Sequence, residues 1–265
     1  MGATDDSDGS DGRRKEPKRR LDQLLVERGL AESRSRAQAL VMAGRVYSDT
    51  IRLDKPGRSL AADVALEVKG RDHPWVSRGG IKLAHALDQF SISPAGLVCL
   101  DIGASTGGFT DVLLSRGAAR VYAVDVGHGQ LAWKLRQDPR VVVLERTNAR
   151  RLNATEVPEP IGLVTCDASF IGLETVLPAA LALTAPGARL IALIKPQFEV
   201  GRAEVGKGGV VRDPALHQAV CARIKDWLQS RPHWRVLGLE ESPIRGPEGN
   251  VEFLIAGERD VAPAG

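Results

Sequence analysis

The chain has 265 residues, of which 43% are hydrophobic and 26% charged, so it is long enough for a sizeable core and for two domains. Its formal net charge is only +3, and the positions of the basic residues therefore say more about partners than the total does. Three cysteines without a C-x-x-C spacing argue against a zinc site, and no secretory signal or long apolar run supports a transmembrane pore. We expect a cytoplasmic protein with reduced thiols and no membrane contact.

The chain begins with residues rich in Gly, Ser and Asp and then in Lys and Arg, so 1–18 is predicted to be a disordered basic tail. Its run RRKEPKRR is interpreted either as a solvated linker or as a nonspecific contact to nucleic-acid phosphates. Order is predicted from RLDQLLVERGL, where leucines recur at helical spacing and Gly29 ends the helix. A second helix is predicted in ESRSRAQALVMAG, capped by Ser33 or Ser35, and the strand-like runs RVYSD, IRLDKPG and ALEVKG follow it.

Arginines on this short unit form a candidate phosphate-binding surface. Arg34, Arg36 and Arg45 lie opposite or beside the apolar stripe of this unit, and we expect this cluster of arginines to have no carboxylate partners. Residues 19–69, through RLDQLLVERGL, SRSRAQALVMAGRVY and the strand pair with DKPG, resemble the S4 RNA-binding domain, which implies a small α+β domain that contacts RNA. Together with basic residues further along the chain, the predicted RNA-binding residues are Arg20, Arg34, Arg36, Arg45, Arg78, Lys207 and Arg212.

The sequence changes character after a predicted linker at 70–76. In the predicted domain 77–265, strand-like runs such as LVCLDIG, RVYAVDV and RLIALIK alternate with helix-like runs such as GGFTDVLLSRG and PALHQAVCARIKDWLQS. This alternation predicts an α/β fold with a mostly parallel sheet and helices on both faces. The last strand-like runs, WRVLGLEES and NVEFLIAG, are joined by PIRGPEGN and predict an antiparallel hairpin at the edge of the sheet.

The run LVCLDIGASTGGF predicts a cofactor site, because a strand leads into a glycine-rich turn and the start of a helix. The pattern of Asp101 and then G-x-x-x-G-G is not the dinucleotide fingerprint, and Asp125, about 20 residues on, can accept hydrogen bonds from a ribose. These features resemble the S-adenosylmethionine site of class I methyltransferases, which implies a Rossmann-like domain; an NAD enzyme stays open as the alternative. The resemblance implies that the cofactor is bound by Asp101, Gly103, Ala104, Ser105, Thr106, Gly107, Gly108, Phe109, Asp125, Val126, Asn148, Asp167 and Ser169.

Four charged residues stand out by position: Lys82, Asp167, Lys195 and Glu252. Lys195 and Glu252 interrupt apolar runs, so we expect them to pair with each other, although any one charge taken alone could equally snorkel or cap. The set resembles the K-D-K-E tetrad of the FtsJ-like ribose 2′-O-methyltransferases. With the S4-like unit in front, residues 19–257 resemble the TlyA family, whose members methylate the ribose of a cytidine in ribosomal RNA and are also called haemolysins.

The resemblance implies a role for each of these four residues, which we call the tetrad. Lys195 is predicted to be the general base that takes the proton of the 2′-hydroxyl, helped by a nearby second ammonium, Lys82, and by partial desolvation. Asp167 would hold the Lys195 ammonium and help to align the hydroxyl, and Glu252 would orient Lys82 or the substrate ribose. This reaction requires no metal, and the histidines are scattered along the chain, so no metal is expected.

The ends of the chain bear on the predicted target. In the TlyA family, shorter members modify 23S rRNA, and longer members with an added C-terminal segment also modify 16S rRNA. Only 13 residues follow Glu252 here, which favours 23S rRNA and the large ribosomal subunit over 16S rRNA as an additional target. No obligate protein partner is expected. Two alternatives stay open: a noncatalytic RNA-binding factor for ribosome assembly, which would not need the tetrad, and a membrane-active haemolysin, which would need an amphipathic or spanning segment.

The stretch GRAEVGKGG, residues 201–209, resembles a phosphate-binding loop but lacks the hydroxyl residue that should follow Lys207. A phosphate-binding loop must also follow a strand directly and open a helix, whereas KPQFEV intervenes here and the next helix is predicted to start at Asp213-Pro214. We interpret the stretch as a mobile loop after the candidate base, whose basic residues could meet the rRNA backbone; a simple flexible connection is the alternative.

Overall fold

The computed structural model of the chain describes residues 18–69, 73–246 and 248–261. The predicted tail, apart from Lys18, and residues 70–72 of the predicted linker lie outside this part of the chain. The described residues form two compact units: 18–26 with 32–69, and 27–31 with 73–261.

The N-terminal unit is a pair of short helices with two small β-sheets. Its elements are β1 (Lys18–Arg20), α1 (Leu21–Glu27), α2 (Arg34–Met42), β2 (Val46–Ser48), β3 (Ile51–Arg52), β4 (Ser59–Ala61) and β5 (Glu67–Val68). β1 pairs with β4, and the other strands form a sheet of order β3-β2-β5. Leu21, Leu24 and Leu25 are almost completely buried, as their helical spacing predicts. Ser33 caps α2 by accepting a hydrogen bond from the Arg36 amide, whereas Ser35 lies inside the helix.

The second unit is an α/β domain built on a seven-stranded sheet. Its helices are α3 (Gly79–Gln89), α4 (Gly108–Ser115), α5 (Trp133–Arg136), α6 (Leu173–Ala182), α7 (Pro196–Glu199) and α8 (Pro214–Gln229). Its strands are β6 (Val98–Ile102), β7 (Arg120–Val124), β8 (Val141–Leu144), β9 (Ile161–Cys166), β10 (Thr184–Ile194), β11 (Trp234–Glu241) and β12 (Phe253–Arg259). In the described residues the strand order is β11-β12-β10-β9-β6-β7-β8.

The sheet is mostly parallel, as the alternation of elements predicts. β8, β7, β6, β9 and β10 run parallel, and β12 is antiparallel to both β10 and β11. The predicted antiparallel hairpin is present, but β11 forms the edge and β12 lies inside the sheet. The predicted fold class is thus confirmed, and the sequence order of the last two strands is reversed in space.

Two hydrophobic clusters cover the two faces of this sheet. One joins strand residues such as Val164 to α6 and α8, and the other joins residues such as Leu193 and Leu254 to α3 and α4. β7 and β8 lie on one side of β6 in the sheet, and β9 lies on its other side. The direction in which the chain adds strands to the sheet therefore reverses between β6 and β9. Ligands of such sheets bind at the carboxyl ends of the strands beside this switch point. The glycine-rich turn after β6 and Asp167 after β9 both lie there.

Candidate active site

The glycine-rich turn between β6 and α4 needs glycine at two positions for different reasons. Gly103 has φ +77°, and a Cβ there would come within 3.0 Å of the Ala168 backbone. Gly107 has φ +93°, and a Cβ there would lie 2.2 Å from a Leu135 methyl group. Both glycines are therefore required by a positive φ and by close packing, which let the turn lie tightly against its neighbours at the carboxyl ends of the strands. This geometry fits the predicted cofactor site.

Asp101 does not face this open surface. Its side chain is completely buried, and its two oxygens accept hydrogen bonds from the hydroxyls of Thr110 at 2.7 Å and Thr165 at 3.1 Å. Burial raises the pKa of Asp101 to about 7, although the two hydroxyl hydrogen bonds oppose that shift. The predicted direct contact with the cofactor is therefore wrong for the described conformation. Asp101 instead ties β6 to α4 and β9, which holds the turn in place.

Asp125 faces the turn from the end of β7. Its carboxylate accepts hydrogen bonds from the backbone amides of Ser105 at 2.8 Å and Gly127 at 2.7 Å. A carboxylate has about four lone-pair positions, so two remain to accept hydrogen bonds from ribose hydroxyls. The neighbouring Val126 is 73% exposed, which leaves an apolar side chain at the same edge.

Some of the other predicted cofactor residues lie at the surface of the candidate site, and others are buried beneath it. Ser105 and Ser169 are exposed and Thr106 is half-buried at the carboxyl edge, whereas Ala104 and Phe109 are buried in the core beneath the turn. Gly108 starts α4. Asn148 uses its side-chain oxygen to accept a hydrogen bond from the Arg150 amide, so that oxygen already serves to cap a 3-10 turn. We therefore expect fewer of these residues to touch a cofactor with their side chains than the family resemblance implies.

The tetrad comes together on one face of the sheet. Leu193 of β10 and Leu254 of β12 contribute to the same hydrophobic cluster as Leu83 of α3, and the two-residue period of a strand puts Lys195 and Glu252 on that face too. The register that pairs Ile194 with Phe253 brings Lys195, just after β10, next to Glu252, just before β12.

Two ion pairs connect the four tetrad residues. Lys82 Nζ lies 2.5 Å from Glu252 Oε2, and Lys195 Nζ lies 2.7 Å from Asp167 Oδ1. The expected pairing of Lys195 with Glu252 is therefore wrong, because α3 supplies a closer cation for Glu252 and the end of β9 a closer anion for Lys195. Lys195 also donates hydrogen bonds to the Ser169 hydroxyl at 3.0 Å and to the Asp167 carbonyl oxygen at 3.2 Å.

An aromatic pair beside Lys195, the exposed Phe170 and the half-buried Phe198, was not predicted. The Phe170 side chain is 90% exposed, its φ of 65° lies in the left-handed region, and its ring centroid is 4.9 Å from that of Phe198. The Lys195 ammonium is 6.0 Å from the Phe198 ring. A bulky residue with positive φ is strained, and such strain is concentrated at functional sites. The sequence DASF carries no signal of this conformation.

Glu199 was also missed, although it joins the two loops that carry Asp167 and Lys195. Its carboxylate accepts hydrogen bonds from the Leu173 amide at the start of α6 and from Arg223 of α8, both at 2.8 Å. Only 3% of its side chain is exposed, and burial raises the pKa of Glu199. The signal that could have found it is its position in KPQFE, four residues after Lys195.

The predicted RNA-binding residues lie in both units. In the N-terminal unit, the expectation of an unpaired arginine cluster is wrong for Arg34, because the buried Asp22 accepts hydrogen bonds from Arg34 and also from Arg20. The Gln38 amide completes the set at 3.0 Å. These arginines remain 43% and 54% exposed, so Asp22 orients two guanidinium groups that still face solvent. Exposed side chains in the remaining set belong to Arg36, Arg45, Lys207 and Arg212, and Arg78 is half-buried.

The loop at 201–209 is not a phosphate-binding loop in the structure. It contains a 3-10 turn at Arg202–Glu204, and its end is held by a bridge between Gly206 and Val210. The Asn250 side chain donates to the Gly209 carbonyl oxygen at 2.9 Å and accepts from the Val211 amide at 3.0 Å. The helix that follows starts at Pro214 with Asp213 as its cap, as predicted. The predicted mobility of the loop stays a prediction.

Comparisons with known proteins match both units of the chain to known families. The family model of the FtsJ-like methyltransferases matches residues 75–259, and that of the S4 domain matches residues 19–63. The chain is 50% identical to the 16S/23S rRNA (cytidine-2'-O)-methyltransferase TlyA of Mycobacterium tuberculosis over 89% of this chain and 88% of that protein. It is 39% identical to Hemolysin A of Brachyspira hyodysenteriae over 89% of this chain and 98% of that protein. The solved structure "Putative hemolysin from Streptococcus thermophilus" has a TM-score of 0.73 and 42% identity, covering 93% of this chain and 90% of its own.

Proposed function

The chain belongs to the TlyA family of FtsJ-like methyltransferases with an S4 domain, and from that premise we propose that it methylates the ribose 2′-hydroxyl of a cytidine in ribosomal RNA. The observation that supports this most is the pair of ion pairs on one face of the sheet, Lys195 with Asp167 and Lys82 with Glu252, beside the glycine-rich turn. The proposed methyl donor is S-adenosylmethionine. The proposed target is 23S rRNA, and the relative named for 16S and 23S rRNA makes 16S rRNA the second substrate to test.

The described residues fit S-adenosylmethionine in two ways. The turn at Gly103 and Gly107 leaves no room for side chains beneath it, and Asp125 keeps acceptor positions for ribose hydroxyls. Val126 and Asn148 lie at the ends of the next two strands, where the family resemblance implies the adenine end of the site. Bound S-adenosylmethionine supplies a methyl group on a positively charged sulfur, which is a good electrophile.

The proton of the 2′-hydroxyl must leave as the oxygen attacks, and Lys195 is the proposed acceptor. Its amine is directed by the Ser169 hydroxyl and the Asp167 carbonyl oxygen, and it becomes an ammonium that the Asp167 carboxylate stabilises at 2.7 Å. The two residues together hold a proton at Nζ and orient the attacking oxygen. Positioning of this kind is a large part of catalysis by transferases.

Lys82 and Glu252 have a supporting role in this proposal. Their ion pair is nearly sealed from solvent, so it fixes the segment before β12 against α3, next to the end of β10 that Lys195 follows. A buried pair of this kind keeps its geometry because either charge alone would be strongly disfavoured.

Phe170 offers a surface for the target base. Methylation of a ribose within rRNA requires access to its 2′-hydroxyl, and unstacked bases bind on exposed aromatic rings. The Phe170 ring is exposed and is supported from one side by Phe198, close to Lys195. We therefore propose that the target cytosine stacks on Phe170 while its ribose lies over the tetrad.

The decisive experiment combines the purified protein, S-adenosylmethionine and large ribosomal subunits that lack the modification, followed by mapping of 2′-O-methyl groups in the rRNA. We expect one modified cytidine in 23S rRNA, and small subunits are tested in parallel for 16S rRNA. Omission of S-adenosylmethionine is the control. If neither subunit gains a 2′-O-methyl group although the protein binds S-adenosylmethionine in calorimetry, the proposed substrate is wrong.

The relative named Hemolysin A motivates a second candidate, the lysis of membranes. Within the described parts of the chain, no helix is long and apolar enough to cross a bilayer. A dye-leakage assay with lipid vesicles tests this candidate, and release at the background level would dismiss it.

A further inference from the structure

A cavity lies on the other face of β12 from the tetrad. Its volume is about 640 Å³, within the range of small-ligand sites. Side chains alternate along this stretch of chain, so Val251 and Phe253 line the cavity while Glu252 between them pairs with Lys82 on the opposite face. The cavity is therefore separate from the tetrad but only one strand away from it.

The cavity has an apolar floor and a charged rim. Of the lining residues, those that are buried or half-buried form the floor and walls: Val210, Val211, Val251, Phe253 and His217. The exposed ones form the rim and carry two positive and two negative charges: Arg212, Arg245, Glu241 and Glu248. The rings of His217 and Phe253 meet edge to face at 5.7 Å, and His217 Nε2 lies 2.9 Å from the Val211 carbonyl oxygen. The aromatic part of the wall is thus fixed by bonds on more than one side.

Asn250 gives the cavity a preformed shape. It is 1% exposed, and its side chain bonds both the Val211 amide and the Gly209 carbonyl oxygen, so the loop before α8 is tied to the segment that leads into β12. Its own carbonyl oxygen accepts a hydrogen bond from the Gly246 amide at 2.9 Å. Both walls of the cavity therefore depend on one buried side chain.

We propose that this cavity binds the nucleotide next to the methylated one, a deeper statement that rests on the proposed function. The flat base lies against Phe253 and the valines of the floor, and the phosphate is bound by the guanidinium groups of Arg212 and Arg245. Guanidinium groups match phosphate geometry with paired hydrogen bonds, and both arginines are exposed at the rim. The RNA strand would then cross the start of β12, with the methylated ribose at the tetrad on one face and the next nucleotide in the cavity on the other.

Two variants test this proposal without touching the tetrad. Arg245→Glu reverses a rim charge, and Gln218→Trp places a large ring at the mouth of the cavity from an exposed position on α8. The matched controls are Lys225→Glu and Gln229→Trp, which make the same changes at exposed positions of α8 outside the cavity. Thermal unfolding checks that all four variants fold.

Methylation of unmodified large subunits is measured over a range of subunit concentrations. We expect both cavity variants to raise KM for the subunit about 10-fold, as for the loss of roughly one strong contact, with kcat and the Kd of S-adenosylmethionine within about twofold of the wild type. Arg245→Glu should also reduce the salt dependence of KM. Unchanged KM in both variants, or a fall in kcat alone, overturns the proposal. A wild type that methylates neither subunit instead refutes the proposed function.

A binding experiment that does not depend on activity completes the test. Cytidine 5′-monophosphate is titrated into the wild type while the ring signals of His217 are followed by NMR. We expect these signals to shift with saturation in the wild type and in Gln229→Trp, and to stay unchanged in Gln218→Trp. Identical titrations of all three proteins would contradict binding in the cavity.

Discussion

The two ion pairs of the tetrad differ in how much of each reaches solvent. The side chains of Lys82 and Glu252 are 6% and 1% exposed, whereas those of Lys195 and Asp167 are 9% and 22% exposed. Lys195 also contacts a hydroxyl and a carbonyl oxygen, and Asp167 Oδ1 accepts no well-directed hydrogen bond among the described residues despite its short distance to Lys195. The sealed pair is suited to hold structure, and the more open pair is suited to exchange a proton with a substrate.

Replacing the candidate base should have the largest effect on this comparison. Lys195→Ala is expected to lower kcat for rRNA methylation by about 10²–10⁴-fold, the usual contribution of a general base. The Kd of S-adenosylmethionine, measured by calorimetry, should change little because Lys195 is not among the cofactor-binding residues. A wild-type rate in single-turnover assays would remove Lys195 from the role of base.

Breaking the sealed pair should cost more stability than breaking the open pair. Glu252→Ala leaves the Lys82 ammonium buried without its partner, and we expect a loss of about 3–5 kcal/mol in the free energy of unfolding in urea. Asp167→Ala should lose less, because its carboxylate is partly exposed. The double variant Lys82→Met/Glu252→Leu should recover much of the stability without recovering activity. Equal losses in Glu252→Ala and Asp167→Ala would abolish the distinction between the pairs.

Asp101 sharpens the comparison, because it is as deeply buried as Glu252 but is bonded to hydroxyls and not to a lysine. Its pKa rises from 3.8 to about 7 on folding, chiefly through burial, so the folded state holds the proton more tightly than the unfolded state does. Its contribution to stability is therefore fully present below about pH 4 and is lost as the pH rises toward 7.

The corresponding test is Asp101→Asn. We expect the free energy of unfolding of the variant to depend less on pH between about pH 4 and 7. The difference in this free energy between variant and wild type should shift in favour of the variant by on the order of 4 kcal/mol at most as the pH rises across that range. Glu199, whose pKa is also raised, contributes in the same direction in both proteins and cancels in the difference. Parallel urea curves for wild type and variant at pH 4.5 and 7.5 would contradict the burial argument.

The smallest effect is expected from replacing an exposed arginine that does not bind a buried carboxylate. Arg36 lies on the surface of α2, and Arg36→Ala should weaken rRNA binding a few-fold and lower the salt slope of binding by about one. Arg34 is a poorer test, because its removal also disturbs the buried Asp22. Lys225→Ala on α8 is the control, and equal salt series for the two variants would take Arg36 out of the RNA-binding surface.

The fold could be predicted because the spacing of hydrophobic residues and the alternation of strands with helices can be recognised in a single sequence. The strand–helix order predicted the parallel sheet, and the glycine spacing predicted an open turn after β6. What the residues alone could not predict depends on spatial order: Lys195 and Glu252 lie next to the ends of neighbouring strands, but α3 brings Lys82 to Glu252, a contact that only the family resemblance suggested. The arginine cluster was misjudged because Asp22, within the leucine-rich face of α1, was not recognised as a buried acceptor.

Two further residues show a different limit. Phe170 owes its exposure to a backbone conformation, and no residue type in DASF requires a positive φ. Asp101 stands where an acidic ligand-binding residue is expected, yet two threonines from separate elements take up both of its oxygens. For Asp101, residue type and position predicted the neighbourhood, and the direction of the side chain decided the contact; for Phe170, the sequence predicted neither.

The position of β12 has a consequence for how the enzyme comes into being. β12 is the last strand of the described chain, yet it lies between β10 and β11 in the sheet. Glu252, just before this strand, pairs with Lys82, which is 170 residues earlier in the chain. Contacts of such long separation form late in folding, because the chain must close a large loop before they stabilise anything. During synthesis, β10 and β11 are therefore made before β12, the strand that pairs with both of them. The tetrad can be complete only after the segment with Glu252 and β12 has left the ribosome.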